Sequence, residues 1–156
     1  MSAVVSVSRD VAASPEVVFA LVSDLTRMGE WSPENTGGRW AKGATGPAVG
    51  ATFKGTNANG RRKWTTDVTV TRCEPGVAFA FDVDAGPLAV ANWAYTIEPT
   101  EGGCRVTETW VNRSGWLVRT TGSWLSGRKH DEAYTRTAMA ETLDRLAAVA
   151  EAEAAA

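Results

Sequence analysis

Trp93-Ala94-Tyr95-Thr96-Ile97-Glu98-Pro99-Thr100-Glu101-Gly102-Gly103-Cys104-Arg105-Val106-Thr107-Glu108-Thr109-Trp110 reads as two strands joined by a Pro/Gly turn. Side chains alternate faces along a strand, so Trp93, Tyr95 and Ile97 share one face, as do Val106, Glu108 and Trp110. Two earlier stretches, Trp64-Thr65-Thr66-Asp67-Val68 and Phe79-Ala80-Phe81, carry large rings in the same alternating phase. An aromatic wall with polar tips suits a sheet wrapped around a cavity for a mostly apolar molecule. The same residues suit a dense aromatic core, and both readings stay open at this point.

Outward from this pair, turn signals are regular. Glu74-Pro75-Gly76, Ala85-Gly86-Pro87 and Pro99 to Gly103 separate strands near 61–73, 77–84, 89–98 and 104–113. Upstream, Asn59-Gly60 marks a two-residue hairpin, preceded by strands at 39–43 and 49–58. Glu34-Asn35-Thr36-Gly37-Gly38 reads as a turn. Residues 3–12 form a first strand, and Ser14-Pro15-Glu16 then starts a helix: Ser14 caps, Pro15 takes the first helical position, and Glu16 suits the dipole. A second short helix is expected from Asp24 to Trp31. At the other end, Ala138, Met139, Thr142, Leu143, Leu146, Ala147 and Ala150 recur at three and four residues, giving one long amphipathic helix from about 128 to about 150 with Glu151 to Ala156 frayed. Residues 114–127, with Trp116 and Trp124 and three glycines, read either as a separate short helix or as an irregular first turn of the long one, and either as a gate beside a cavity mouth or as plain core packing.

The 156 residues fit one α+β domain spanning 1–156. Sixteen basic and 18 acidic residues are scattered to a net charge of −2, without the basic patch a nucleic-acid partner needs. The alternating, charge-interrupted amino terminus lacks a signal-peptide run and no later stretch is long enough to span a bilayer, so a cytoplasmic protein without stable membrane association is expected. Cys73 and Cys104 lack metal-ligand spacing, and the sole histidine, His130, sits in the solvated run Arg128-Lys129-His130-Asp131-Glu132, so neither a metal site nor a triad is expected. Arg61, Arg62 and Lys63 read as a solvated rim. Nothing selects a cofactor, and the chain is expected as a monomer or homodimer.

Several local patterns occur together: Ser14-Pro15-Glu16-Val17-Val18-Phe19 followed by Asp24 and Trp31, then Gly50-Ala51-Thr52-Phe53-Lys54-Gly55-Thr56-Asn57, Trp64-Thr65-Thr66 and Arg105-Val106-Thr107-Glu108-Thr109-Trp110. In this order they resemble the START/Bet v 1-like (SRPBCC) superfamily, in its branch of polyketide cyclase/dehydrase and lipid transport proteins. That resemblance implies a helix-grip fold: a bent antiparallel sheet of about seven strands around a long carboxyl-terminal helix, with two short helices after the first strand. It also implies a cavity between sheet and helix, lined by Phe53, Asn57, Trp64, Thr66, Val68, Phe79, Phe81, Trp93, Tyr95, Glu108 and Trp110, with Met139 and Leu143 from the helix and Trp31 at the mouth.

Glu108 carries the sharpest chemical expectation. An inward carboxyl among rings loses solvation, which raises its pKa toward neutrality and suits it to exchange a proton or to orient a ligand. A purely structural acid bonded to Trp64, Trp93 or Tyr95, or paired with an arginine, fits equally. Three functions remain in view: binding of a small hydrophobic, lipid-like or polycyclic ligand; a polyketide aromatase/cyclase-dehydratase using Glu108 and Tyr95; and a protein-interaction module.

Overall fold

In the computed structural model, residues 4–114 and 132–156 are described. The chain runs β1 (Val4–Val11), α1 (Pro15–Val22), a short 3-10 helix α2 (Leu25–Glu30), β2 (Asn35–Ala41), β3 (Thr52–Asn59), β4 (Arg62–Glu74), β5 (Ala78–Ala85), β6 (Leu88–Thr100), β7 (Gly103–Asn112) and α3 (Glu132–Ala155). The strands form one antiparallel sheet in the order β1-β7-β6-β5-β4-β3-β2, a meander whose first strand returns to pair with the last. α3 comes closest to β1, with α1 and β7 as lesser neighbours, and buries Met139, Leu143, Leu146, Ala147 and Ala150.

Local chemistry explains the helix starts. Ser14 Oγ accepts from the Val17 N–H at 3.2 Å and Pro15 opens α1. Asp24 Oδ1 accepts from the Thr26 N–H at 3.2 Å and opens α2. Val18, Leu21 and Val22 turn inward from α1, and Phe19 packs edge-on against Phe79 of β5 at 6.3 Å.

Three boundaries differ from the sequence reading. Asn35 to Gly38 is not a turn but the start of β2, paired with β3 across a bulge between Asn35 and Gly37. Gly38 makes this pairing feasible: a Cβ there would overlap the Lys54 carbonyl oxygen and the Phe53 ring. The β3–β4 hairpin is displaced by one residue, since Asn59 pairs with Arg62 and Gly60 takes the first turn position with φ 63°. Finally, α3 does not fray at 151 but continues to Ala155. Its end is tied down, with the Ala12 N–H donating to Glu151 Oε2 at 3.0 Å and Arg27 of α2 paired with Glu153 at 2.8 Å. The expected helix start near 128 lies outside the described residues, as do Trp116, Trp124 and His130.

Gly103 at the start of β7 is held at φ 154°, where a Cβ would overlap the Val11 carbonyl oxygen and the Ala13 backbone. Gly103→Ala is therefore expected to cost more than about 1 kcal/mol in urea denaturation, because a close backbone approach and a glycine-only torsion are lost together. A change indistinguishable from zero would show that the β1–β7 end relaxes freely.

Candidate functional site

The inner face of the sheet is built in rows. Across β1, β7, β6 and β5 the central row is Val7, Glu108, Tyr95 and Phe79, ending at Cys73 on β4. The next row is Val5, Trp110, Trp93, Phe81 and Val70. Beyond it lie Ala91, Val83, Val68 and Phe53, with Trp40 edge-on to Phe53 at 5.3 Å. Outward along the β3–β4 hairpin the same face carries Thr66 opposite Gly55 and Trp64 opposite Asn57. The bulge in β4 falls after Val70, so the alternation from Trp64 to Val70 is intact and beyond it Cys73 rather than Arg72 shares the inner face; the one between β5 and β6 falls before Ala91.

Burial grades along the face. Phe79, Glu108, Tyr95, Phe81 and Phe53 are buried, whereas Trp93, Thr66, Asn57 and Trp64 are half-buried. The deep end lies under α1 and α3; the shallower end follows the β3–β4 hairpin. Asn57 Nδ2 donates to Thr66 Oγ1 at 3.4 Å, a long bond between the two polar groups there.

Glu108 sits at the deep end, 1% exposed. Tyr95 stands directly opposite it across β6 and β7, and no arginine pairs with it among the described residues. Its oxygen Oε1 is sealed from solvent and has no hydrogen-bond partner among the described residues. Burial pushes the Glu108 pKa up to about 7, partly offset by the neighbouring Tyr95 hydroxyl. Burial also pushes the Tyr95 phenol well above its ordinary value, assisted by the neighbouring Glu108 carboxyl.

The carboxyl lies where the apolar core divides. A large cluster holds Phe53, Phe79, Phe81, Tyr95, Val106 and the carboxyl-terminal half of α3 from Leu143, while a small one holds Val5, Ala91, Trp110 and Met139. Val7 and Trp93 touch both. Met139 and Leu143, one helical turn apart, thus belong to different clusters, and Glu108 follows Val106 of one and precedes Trp110 of the other along β7.

Trp31 departs from expectation. Instead of standing at a mouth it is 1% exposed within the large cluster, because the last turn of α2, closed by the Trp31 N–H on Met28 O at 3.2 Å, folds it inward. The sequence reading also missed a tie between α3 and the approach to β2. Tyr134 donates to Glu34 Oε1 at 2.6 Å, and Glu34, held at φ 70°, accepts the Ala58 N–H at 2.8 Å through its carbonyl. No periodic signal marks Glu34, since its role depends on a left-handed torsion. A separate open cleft of about 310 Å³ lies between α2 and β2, but its Arg27 is already paired with Glu30 and Glu153. Among the described residues no three His, Cys, Asp or Glu side chains gather as a metal site, both cysteines are free, and no helix is long and apolar enough to cross a membrane.

Residues 2–151 match the family model described as polyketide cyclase/dehydrase and lipid transport. The chain belongs to this family. A polyketide-cyclase-like protein of Corynebacterium glutamicum, Cgl2372, is 34% identical over 96% of this chain and 83% of its own, with a TM-score of 0.53. Protein NE0264 of Nitrosomonas europaea superposes with a TM-score of 0.72 at 14% identity, over 98% of this chain and 97% of its own. The di-domain aromatase/cyclase StfQ of the steffimycin biosynthetic pathway gives a TM-score of 0.77 at 13% identity; the match covers all of this chain and 53% of StfQ. No curated protein matches. Within the polyketide cyclase/dehydrase and lipid transport family, the present member has the helix-grip architecture, with its sheet bent around α3.

Proposed function

We propose that this family member binds a small hydrophobic molecule between the inner face of the sheet and α3. The observation that carries this reading is Glu108 Oε1. Buried polar atoms are nearly always hydrogen-bonded, and an exception calls for a missing partner. A ligand oxygen is such a partner, and the half-buried rings of Trp64 and Trp93 supply a flat apolar surface with Asn57 and Thr66 beside them. The family's association with lipid transport agrees with this reading.

A second reading, favoured by the pKa of Glu108 near 7, is cyclisation of a poly-β-carbonyl chain. Ionised Glu108 would take a proton from a methylene between two carbonyls, the enolate carbon would attack a second carbonyl, and the acid would return the proton to the alkoxide before loss of water. Holding the chain folded would supply much of the rate.

Denaturing the purified protein, extracting it into organic solvent and analysing the extract by mass spectrometry should release a bound apolar compound, and the emptied protein should take up apolar fluorescent probes. Failure of both would remove the ligand reading. With a supplied polyketide, unchanged turnover in Glu108→Gln would remove the carboxyl from the cyclase reading.

A further inference from the structure

We infer that the hydrogen bond from Tyr134 to Glu34 is a latch that closes the shallow end of the inner face, and that its release lets the ligand pass. This rests on the internal ligand site proposed above and names the seam through which that site exchanges with solvent.

The sheet has two edges, β1 and β2, and the first turns of α3 are bonded at both. Arg136 Nη1 donates to the Ser6 carbonyl of β1 at 3.2 Å. On the other side the Tyr134 hydroxyl donates to Glu34 Oε1 at 2.6 Å, immediately ahead of β2. Helix and sheet thereby close a ring around the inner face. Glu34 stands beside the half-buried part of that face, since the next residue, Asn35, pairs with Asn57, and Asn57 pairs with Trp64.

The ring is held unequally. The carboxyl-terminal half of α3 buries Leu143, Leu146, Ala147 and Ala150 in the large cluster, and its last turns are tied by Ala12 and Arg27. The amino-terminal half buries only Thr135 and Met139, the latter in the small cluster. Less apolar area holds this half, so separation of helix from sheet begins here. Tyr134 and Glu34 are both half-buried, and water competes for their bond. Glu34 adds a bias toward release. Its φ of 70° is one that glutamate rarely adopts, kept while its carbonyl accepts the Ala58 N–H at 2.8 Å and its side chain accepts Tyr134. Once the tyrosine lets go, that torsion is free to relax and draws Glu34 away from β3.

The test is stopped-flow mixing of the emptied protein with the neutral probe N-phenyl-1-naphthylamine. Tyr134→Phe, which loses only the hydroxyl, is expected to raise the association and dissociation rates together, each on the order of tenfold, and to leave the affinity within about twofold of wild type. Glu34→Ala should do the same, and the double variant should be no faster than either, because both remove one bond. Arg145→Ala, which breaks a pair with Glu141 on the exposed side of α3, should leave both rates at the wild-type value. Amide hydrogen exchange gives a readout without any probe. The Ala58 N–H should exchange about tenfold faster in Tyr134→Phe, while the Ala12 N–H, bonded to Glu151 at the other end of α3, should not change. Unchanged rates with probe binding intact would overturn the inference and leave the ligand site standing. So would a weaker affinity at an unchanged association rate, which would make Tyr134 a ligand contact, or faster exchange at Ala12 and Ala58 alike, which would report general loosening. Uptake of no probe by wild type and variants would overturn the ligand reading and this inference with it.

Discussion

Between about pH 5 and pH 8, the stability of the ligand-free protein is expected to fall by on the order of 3 kcal/mol through Glu108 alone, and Glu108→Gln is expected to abolish that fall. The sign follows from which state releases its proton first. Folded Glu108 titrates at about 7 against an ordinary 4.5, so over that interval the unfolded chain has lost the proton while the folded one keeps it. Stability from this group is greatest below 4.5, declines through 7 and then levels off. The variant should therefore match wild type under mild acid and exceed it under mild base. Urea denaturation of both proteins across this range is decisive: parallel stability curves would mean that the carboxyl finds solvent or a cation when ionised.

Phe79→Ala is expected to destabilise the fold by about 3–5 kcal/mol, while Trp93→Ala, on the neighbouring row of the same face, should cost markedly less yet weaken probe uptake more. Phe79 has no exposed surface and packs against Phe19 of α1 at 6.3 Å and Phe81 of β5 at 5.9 Å, so truncation leaves a void that α1 and the sheet would have to collapse to fill. Trp93 is half-buried, and its removal leaves space already open on one side. Chemical denaturation and probe titration on the two variants separate the roles. Equal stability losses would place Trp93 in the packed interior.

The order of elements was legible because each carries its own short-range signal: the Ser14 cap, the Pro/Gly turns, and the three-and-four spacing from Ala138 to Ala150. The shared face of Trp64, Phe79, Tyr95 and Glu108 was legible because the β4 bulge lies beyond Val70, where it cannot reverse the residues before it. What escaped depends on contacts made at a distance. Asn35 to Gly38 has turn composition, and only the neighbouring strand at Lys54 and Phe53 draws it into the sheet. The last turn of α3 has the composition of a fraying end, and only Ala12 and Arg27 hold it. Trp31 sits one residue past a short helix, a position from which inward and outward directions are indistinguishable in sequence. That Oε1 of Glu108 is left without a partner is likewise a matter of side-chain geometry that no spacing encodes.

The pairing of β1 with β7 bears on how the chain assembles. Val5 meets Trp110 across more than a hundred intervening residues, whereas β2 through β7 are joined in sequence by local hairpins. Loop closure over such a distance is slow, so during synthesis the amino-terminal strand waits, unpaired, until the last strand has emerged. Val7 of that strand forms the final side of the Glu108 row, and α3 rests chiefly on β1. Burial of the Glu108 carboxyl therefore depends on the pairing of the two strands that lie farthest apart in the sequence.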